Sequence, residues 1–179
     1  MKLRSAAPAF AAIVAFAAFA WAHEEHQRPA ARRGSPELEA MKRLAGKWNG
    51  AMMGEGGKPE AATAEFKVTS AGSAVEETLG KGTPFEMVDM YVDQGGKLAM
   101  THYCAIGNQP HMTLKSGGPK QIVLEMDATP GIDLAKDEHM HALTIEFPDD
   151  DHLIERWISY KNGQPGKPAV FKFSRVKKG

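Results

Sequence analysis

After Gly46, hydrophobic and polar residues alternate with the two-residue period of β-strands. The alternation is clearest in 61–70, 120–127 and 168–176, where apolar side chains recur at every second position. Each of these segments therefore has one apolar face and one polar face. This is typical of antiparallel sheets that bury one face and expose the other to water. The pattern predicts an all-β domain.

Turn signals divide this part of the chain into about ten runs of strand length. Closing such a meander into a barrel removes its exposed edges, so we expect an antiparallel β-barrel of about ten strands. A two-sheet sandwich is the main alternative. The predicted runs are 47–54, 61–70, 73–79, 85–93, 97–105, 111–116, 120–127, 139–147, 152–160 and 168–176.

One short helix is predicted before the first strand. Ser35 can cap its amino terminus, and Pro36 suits the first turn. Leu38 and Met41 share one face, and Gly46 ends the helix.

The first 22 residues have the three-part layout of a secretory signal peptide. A basic start precedes an apolar run at 9–20, and Ala20-Trp21-Ala22 matches an A-x-A cleavage site. The run is shorter than the roughly 20 residues of a membrane span, so we expect no stable membrane span after cleavage. An uncleaved anchor is the alternative. We predict a periplasmic or secreted protein with a signal peptide at 1–22, a flexible linker at 23–34 and a barrel domain at 35–179.

Charge and cysteine content narrow the function classes. The 22 basic and 22 acidic side chains cancel, so no basic face is indicated and we expect no nucleic-acid partner. Cys104 is the only cysteine, which excludes an internal disulfide. The fold must therefore depend on its core.

Gly46-x-Trp48 lies at the head of the first predicted strand, directly after the helix. This placement resembles the opening signature of lipocalins and of the wider calycin superfamily. In that family the tryptophan closes one end of the barrel, and a basic residue of the last strand packs across it. Arg175 shares the phase of Phe171 and Phe173, so it should point inward, and an arginine over an indole forms a favourable cation–π pair.

The resemblance implies a calycin-like barrel with a ligand cavity, and structural roles for Gly46, Trp48 and Arg175. In layout it extends from about residue 35 to the end of the chain. The strand number is nearer that of fatty-acid-binding-like and nitrobindin-like barrels than that of true lipocalins. The chain also resembles secreted bacterial lipocalin-like domains of unknown function. The resemblance implies no reaction.

The segment THYCAIGNQPHM concentrates candidate ligand-binding groups. His102 and Cys104 share the apolar face of their strand and should point into the barrel, where ligand cavities combine apolar walls with a few polar groups. Cys104 can also act as a small hydrophobic residue. A nucleophilic role would need a third group that orients His102, and the sequence identifies none. His111 follows the next turn and is a candidate at the barrel mouth.

His139 and His141 form a His-x-His pattern in phase with the inward-facing Leu143. With His102 they would supply three imidazoles for zinc or another divalent ion, leaving one position open. A polar cavity lining, with His141 as a ligand contact, is the alternative.

Other cofactors also stay open. A haem would need one axial histidine among His102, His141 and His152, and covalent attachment is excluded because C-x-x-C-H is absent. The new amino terminus with His23 could chelate copper. The sequence does not choose among zinc, copper, haem and no cofactor.

Arg156 and Trp157 lie on opposite faces of the ninth predicted strand, so one of these faces buries polar atoms. An inward Arg156 would hold a ligand carboxylate, whereas an outward one would pair with a neighbouring strand.

The function most consistent with these features is binding of a small, largely apolar molecule outside the cytoplasm. The alternatives are a metal- or haem-bearing barrel with redox or isomerase chemistry and a barrel that makes only protein contacts. No complete catalytic constellation is visible, which favours binding over catalysis.

Overall fold

The computed structural model describes residues 33–53 and 57–177. The predicted signal peptide at 1–22 and nearly all of the predicted linker at 23–34 lie outside the described residues, and both stay predictions. Within the described ranges, no helix combines the length and apolar character needed to cross a membrane.

The predicted amino-terminal helix is confirmed as α1 (Pro36–Arg43). The Ser35 hydroxyl accepts a hydrogen bond from the Leu38 amide at 3.1 Å, which caps the helix as the sequence predicts. Eleven strands follow among the described residues: β1 (Gly46–Met53), β2 (Pro59–Thr69), β3 (Ala74–Leu79), β4 (Met87–Gln94), β5 (Lys97–Tyr103), β6 (His111–Gly117), β7 (Gln121–Met126), β8 (His139–Glu146), β9 (His152–Lys161), β10 (Gln164–Pro165) and β11 (Ala169–Arg175).

The strands form a closed antiparallel barrel. Their order is β9-β11-β1-β2-β3-β4-β5-β6-β7-β8, and β8 pairs back with β9. This last pairing makes a ring of ten strands, which confirms the predicted barrel and excludes the open edges of a two-sheet sandwich. The two-residue strand β10 extends the end of β9 and is an addition to the predicted set.

The apolar phase of the strands forms the core inside the barrel. The alternating segments identified in the sequence bury the expected side chains, including Ala64, Phe66, Ile122, Leu124 and Phe173. The outer phase is mostly charged and polar. The period-two pattern therefore predicts correctly which face of these strands is buried.

One end of the barrel is closed by Trp48, Arg175 and helix α1. Trp48 is 1% exposed, and its indole N–H donates to the Leu44 carbonyl at 2.8 Å. The Arg175 guanidinium lies 4.2 Å from the centre of the Trp48 ring. It also donates to the carbonyls of Ala45 at 3.0 Å and Arg43 at 2.9 Å, which ties β11 to the end of the helix. The predicted cation–π pair is thus present in the structure.

Candidate functional site

A cavity of about 550 Å³ lies at the opposite end of the barrel. Trp48 pairs with Arg175 at the closed end, whereas Met52 pairs with Phe171 four residues further along β1. At about 3.3 Å per residue, this places the cavity residue Met52 some 13 Å along β1 from the closing tryptophan. Its lining residues are Met52, Glu60, Ala61, Ala62, Thr63, Leu79, Gly80, Lys81, Thr83, Phe85, Met87 and Phe171.

Exposed apolar side chains surround this open end. Phe85, in the loop between β3 and β4, borders the cavity and is 73% exposed. Ile106 lies in the loop between β5 and β6, and Leu134 in the loop between β7 and β8, and both are also exposed. Because the strands alternate in direction, all three loops lie at the same end of the barrel. The mouth therefore presents apolar contact area to whatever enters it.

A cluster of ionisable side chains is buried one layer below the cavity. Leu79 and Met87 line the cavity, and Glu77 and Asp89 follow two residues away on the same strand faces. Glu155 pairs with the cavity residue Phe171 across β9 and β11. Glu77, Asp89 and Glu155 are each fully buried. The apolar floor of the cavity thus separates it from three carboxyl groups.

Hydrogen bonds join these carboxyl groups to three neighbours in the barrel. Tyr91 donates from its hydroxyl to Glu77 at 2.8 Å, and the Trp157 indole donates to Glu155 at 3.1 Å. His102 Nδ1 donates to Asp89 Oδ1 at 2.7 Å. The His102 and Trp157 rings lie 4.8 Å apart. The sequence prediction that His102 points inward is confirmed, and its orienting partner is Asp89.

Four atoms of the cluster have no hydrogen-bond partner among the described residues: Glu77 Oε1, Asp89 Oδ2, His102 Nε2 and Glu155 Oε1. Buried polar atoms without a partner destabilise a fold and are rare in native proteins. Their concentration in one layer distinguishes this part of the barrel from the apolar core around it. Three of the four are carboxyl oxygens, and a carboxyl can donate a hydrogen bond when protonated as well as accept one.

Burial sets the ionisation of the cluster. It raises the pKa of Glu155 to about 7, against the opposing effect of the Trp157 hydrogen bond. Burial, together with the nearby Glu155 carboxylate, raises the pKa of Glu77 well above its usual value. Burial lowers the pKa of His102, but the Asp89 carboxylate outweighs it and raises that pKa to about 10. The cluster therefore holds an imidazolium–carboxylate pair beside carboxyls that favour their protonated form.

Cys104 lies two residues beyond His102, at the end of β5, and is 9% exposed. Burial raises the pKa of the Cys104 thiol, but the neighbouring His102 lowers it below the usual value overall. Asp89 is the third group that orients His102, which the sequence alone did not identify. The ligand-binding role assigned to Cys104 stays a prediction.

His111 and Arg156 lie away from this layer. The His111 ring nitrogens lie 3.1 Å from the Met100 carbonyl and 3.1 Å from the Gln94 side-chain oxygen, at the start of β6. Arg156 points outward and donates from Nε to Glu146 at 2.9 Å. This is the outward alternative for Arg156, and the face that buries polar atoms is the one with Glu155 and Trp157.

His139 and His141 do not continue the inward phase of Leu143, which corrects the prediction for this strand. A β-bulge lies between Met140 and Ala142, so His139 pairs with Tyr160 on the outer face. An extra residue in one strand reverses the facing of every residue beyond it.

The three imidazoles predicted to share a metal ion are therefore not assembled. His102 is inside the barrel, whereas His139 and His141 are outside it. Across residues 33–53 and 57–177, no three His, Cys, Asp or Glu side chains are grouped to hold a metal ion. The open-end cavity does not suit haem either, because none of the residues that line the cavity is a histidine that could bind the haem iron.

Glu77 and Asp89 were not predicted from the sequence as site residues. The available signal was an acidic residue at an apolar position of a strand: Glu77 lies in phase with Val75 and Leu79, and Asp89 with Tyr91. A charge in that phase is either an edge feature or a buried functional group.

The fold and the site define a closed ten-stranded antiparallel β-barrel with an apolar cavity at one end and a buried ionisable layer beneath it. No family model matches the sequence, and no curated protein matches it either. Among solved structures, the Rv2717c protein from M. tuberculosis is similar, with a TM-score of 0.54 and 15% sequence identity. The similarity covers 81% of this chain and 100% of that one. At this identity the likeness shows a barrel fold alone, and membership of the calycin superfamily stays a prediction.

Proposed function

We propose that this protein is an exported carrier that binds a small, largely apolar molecule in the open-end cavity. The observation that carries the proposal is the cavity itself, about 550 Å³ in volume and lined in large part by Met52, Leu79, Met87 and Phe171. Ligand sites in proteins typically span about 300–1,000 Å³ and combine apolar walls with a few polar groups.

Two further features support a carrier. The barrel is closed at the other end by Trp48 and Arg175, so a ligand has one route in and out. Phe85 is exposed at the cavity rim, and a bound ligand would remove part of its apolar surface from water. Export rests on the signal-peptide pattern of residues 1–22.

The polar groups of the cavity rim suggest how a ligand is oriented. The polar lining groups at the open end are Glu60, Lys81 and Thr83, at the start of β2 and in the loop after β3. The rest of the lining is mostly apolar. Lys81 is held by an ion pair with Glu65 at 2.8 Å. An elongated ligand would place its apolar body on the floor and its polar end among these rim groups.

The test is binding of an environment-sensitive apolar fluorophore to the purified protein and to a pair of matched variants. Ala62 lines the cavity, whereas Ala51 is absent from its lining and pairs with Lys172 on the outer phase of β1. Ala62→Phe should fill the cavity and weaken probe binding by about tenfold or more, which corresponds to about 1.4 kcal/mol. Ala51→Phe should leave probe binding unchanged.

Thermal unfolding of both variants checks that the barrel is intact. Equal probe affinity in the two variants, or no probe binding by the unmodified protein, would contradict the proposal.

A further inference from the structure

The bulge in β8 creates a second cluster, on the outside of the barrel. His139 pairs with Tyr160, and the His141 ring stacks on Tyr160 with 3.9 Å between ring centres. His139 is fully buried, although it lies on the outer phase. This cluster shares no residue with the cavity or with the buried ionisable layer.

The hydrogen bonds of His139 fix its tautomer. Its Nδ1 lies 2.9 Å from the Asp137 carbonyl oxygen, and a carbonyl can only accept. Nδ1 therefore carries the proton, and Nε2 carries a lone pair. That lone pair lies 3.2 Å from Nδ1 of His141. A histidine that donates its other ring N–H to a backbone carbonyl has the arrangement usual for metal ligands.

The separation of the two nitrogens also suits a metal ion. Zinc–nitrogen bonds of about 2.0–2.1 Å in tetrahedral geometry place two ligand nitrogens about 3.3–3.4 Å apart. The observed 3.2 Å differs from this by little more than a tenth of an ångström. For an ion to bind between the two rings, the Nδ1 proton of His141 must move to Nε2 of the same ring, so that both ligand imidazoles stay neutral.

We propose that His139 Nε2 and His141 Nδ1 bind one divalent transition-metal ion, of the zinc or copper class, on the outer face of the barrel. Imidazole nitrogens suit these metals. These two side chains supply only two ligands, so water would complete the coordination shell from the side of the half-buried His141, since His139 is fully buried. The Asp137 carbonyl and the Tyr160 ring hold the two imidazoles in place.

Nearby charge is compatible with a cation. Glu125 pairs with Ala142, directly beside His141, and its side chain is on the outer phase of β7. Lys115 forms an ion pair with Glu125 at 2.9 Å, so the carboxylate is already positioned by a neighbour. Glu125 would offset part of the charge of a bound ion.

The test is isothermal titration calorimetry with Zn²⁺ on the full chain carrying His23→Gln and His26→Gln, because those two histidines could bind metal without the barrel. We expect one ion per chain. His141→Phe keeps a ring for stacking on Tyr160 and removes the ligand nitrogen. It should weaken zinc binding by more than about tenfold, the lower end of the loss seen even for outer-shell partners.

His152→Phe is the matched control, because His152 is exposed and bonded to Asp149 at 2.9 Å. Zinc affinity should not change in this variant. Electron paramagnetic resonance of bound Cu²⁺ gives a second measurement, with coupling to two imidazole nitrogens that falls to one in His141→Phe. Zinc affinity unaltered by His141→Phe, or no zinc binding to the starting protein, overturns the proposal.

Discussion

The buried carboxyl of Glu155 should make the stability of this barrel fall as pH rises from mildly acidic to neutral. Its pKa is raised by burial from 4.5 to about 7 in the folded protein. Between these values the folded state binds more protons than the unfolded chain, so the free energy of unfolding decreases with pH. The stabilisation is complete below about pH 4.5 and is lost as pH rises through about 7.

The size of this change in the free energy of unfolding follows from the shift in the pKa of Glu155. At about 1.4 kcal/mol per pKa unit, a shift from 4.5 to about 7 corresponds to about 3 kcal/mol. Glu77 contributes in the same direction, because its pKa is raised by burial and by Glu155. His102 adds a second loss of folding stability at higher pH. Burial lowers its pKa, but Asp89 raises it to about 10, so its contribution is present below about 6.5 and disappears towards 10.

Glu155→Gln tests this reasoning. Glutamine keeps the size of the side chain and its acceptor for the Trp157 indole, but cannot ionise. The variant should therefore unfold with a free energy less dependent on pH between about 4.5 and 7, and at pH 8 it should be more stable than the unmodified protein by up to about 3 kcal/mol.

The assay is urea denaturation followed by tryptophan fluorescence at several pH values. Glu76→Gln is the matched control, because Glu76 neighbours Glu77 but lies on the opposite phase of β3. The control should keep the pH dependence of the unmodified protein. If Glu155→Gln keeps the full pH dependence too, or is destabilised at pH 8, the assignment of a buried, proton-binding Glu155 is refuted.

Three shorter predictions concern other parts of the molecule. Trp48→Ala should destabilise the barrel by about 3–5 kcal/mol in urea denaturation, and a change below about 0.5 kcal/mol would contradict its closing role. Arg156→Ala should cost less than about 1 kcal/mol in the same assay, since its pair with Glu146 is partly exposed; a larger loss would argue for a buried function. Protein recovered from a bacterial periplasm should begin at His23 by intact mass, and a full-length mass in the membrane fraction would count against cleavage.

The local sequence pattern was sufficient to predict which face of most strands points into the barrel. His102 and Trp48 are buried where the two-residue period places them, and Arg175 lies against Trp48 as the family resemblance implies. These predictions hold because strand pleating is a local property that neighbouring residues determine together. The two-residue period is interrupted in β8, where one extra residue at the Met140–Ala142 bulge moves His139 to the outer face.

The buried ionisable layer could not be predicted as a unit. Its carboxyl groups come from β3, β4 and β9, and its histidine comes from β5. Each residue taken alone is one charged position in an apolar phase. Only closure of the ring through the pairing of β8 with β9 brings Glu155 close to Glu77 and Asp89.

The sequence by itself determined the all-β class, the helical cap and the inward facing of most strands, because alternation and capping act between residues close together in the chain. The tertiary structure alone decided the ionisation of Glu77, Glu155 and His102 and the pairing of His139 with His141. These depend on burial, on charges brought from distant strands and on register, and no local pattern encodes them.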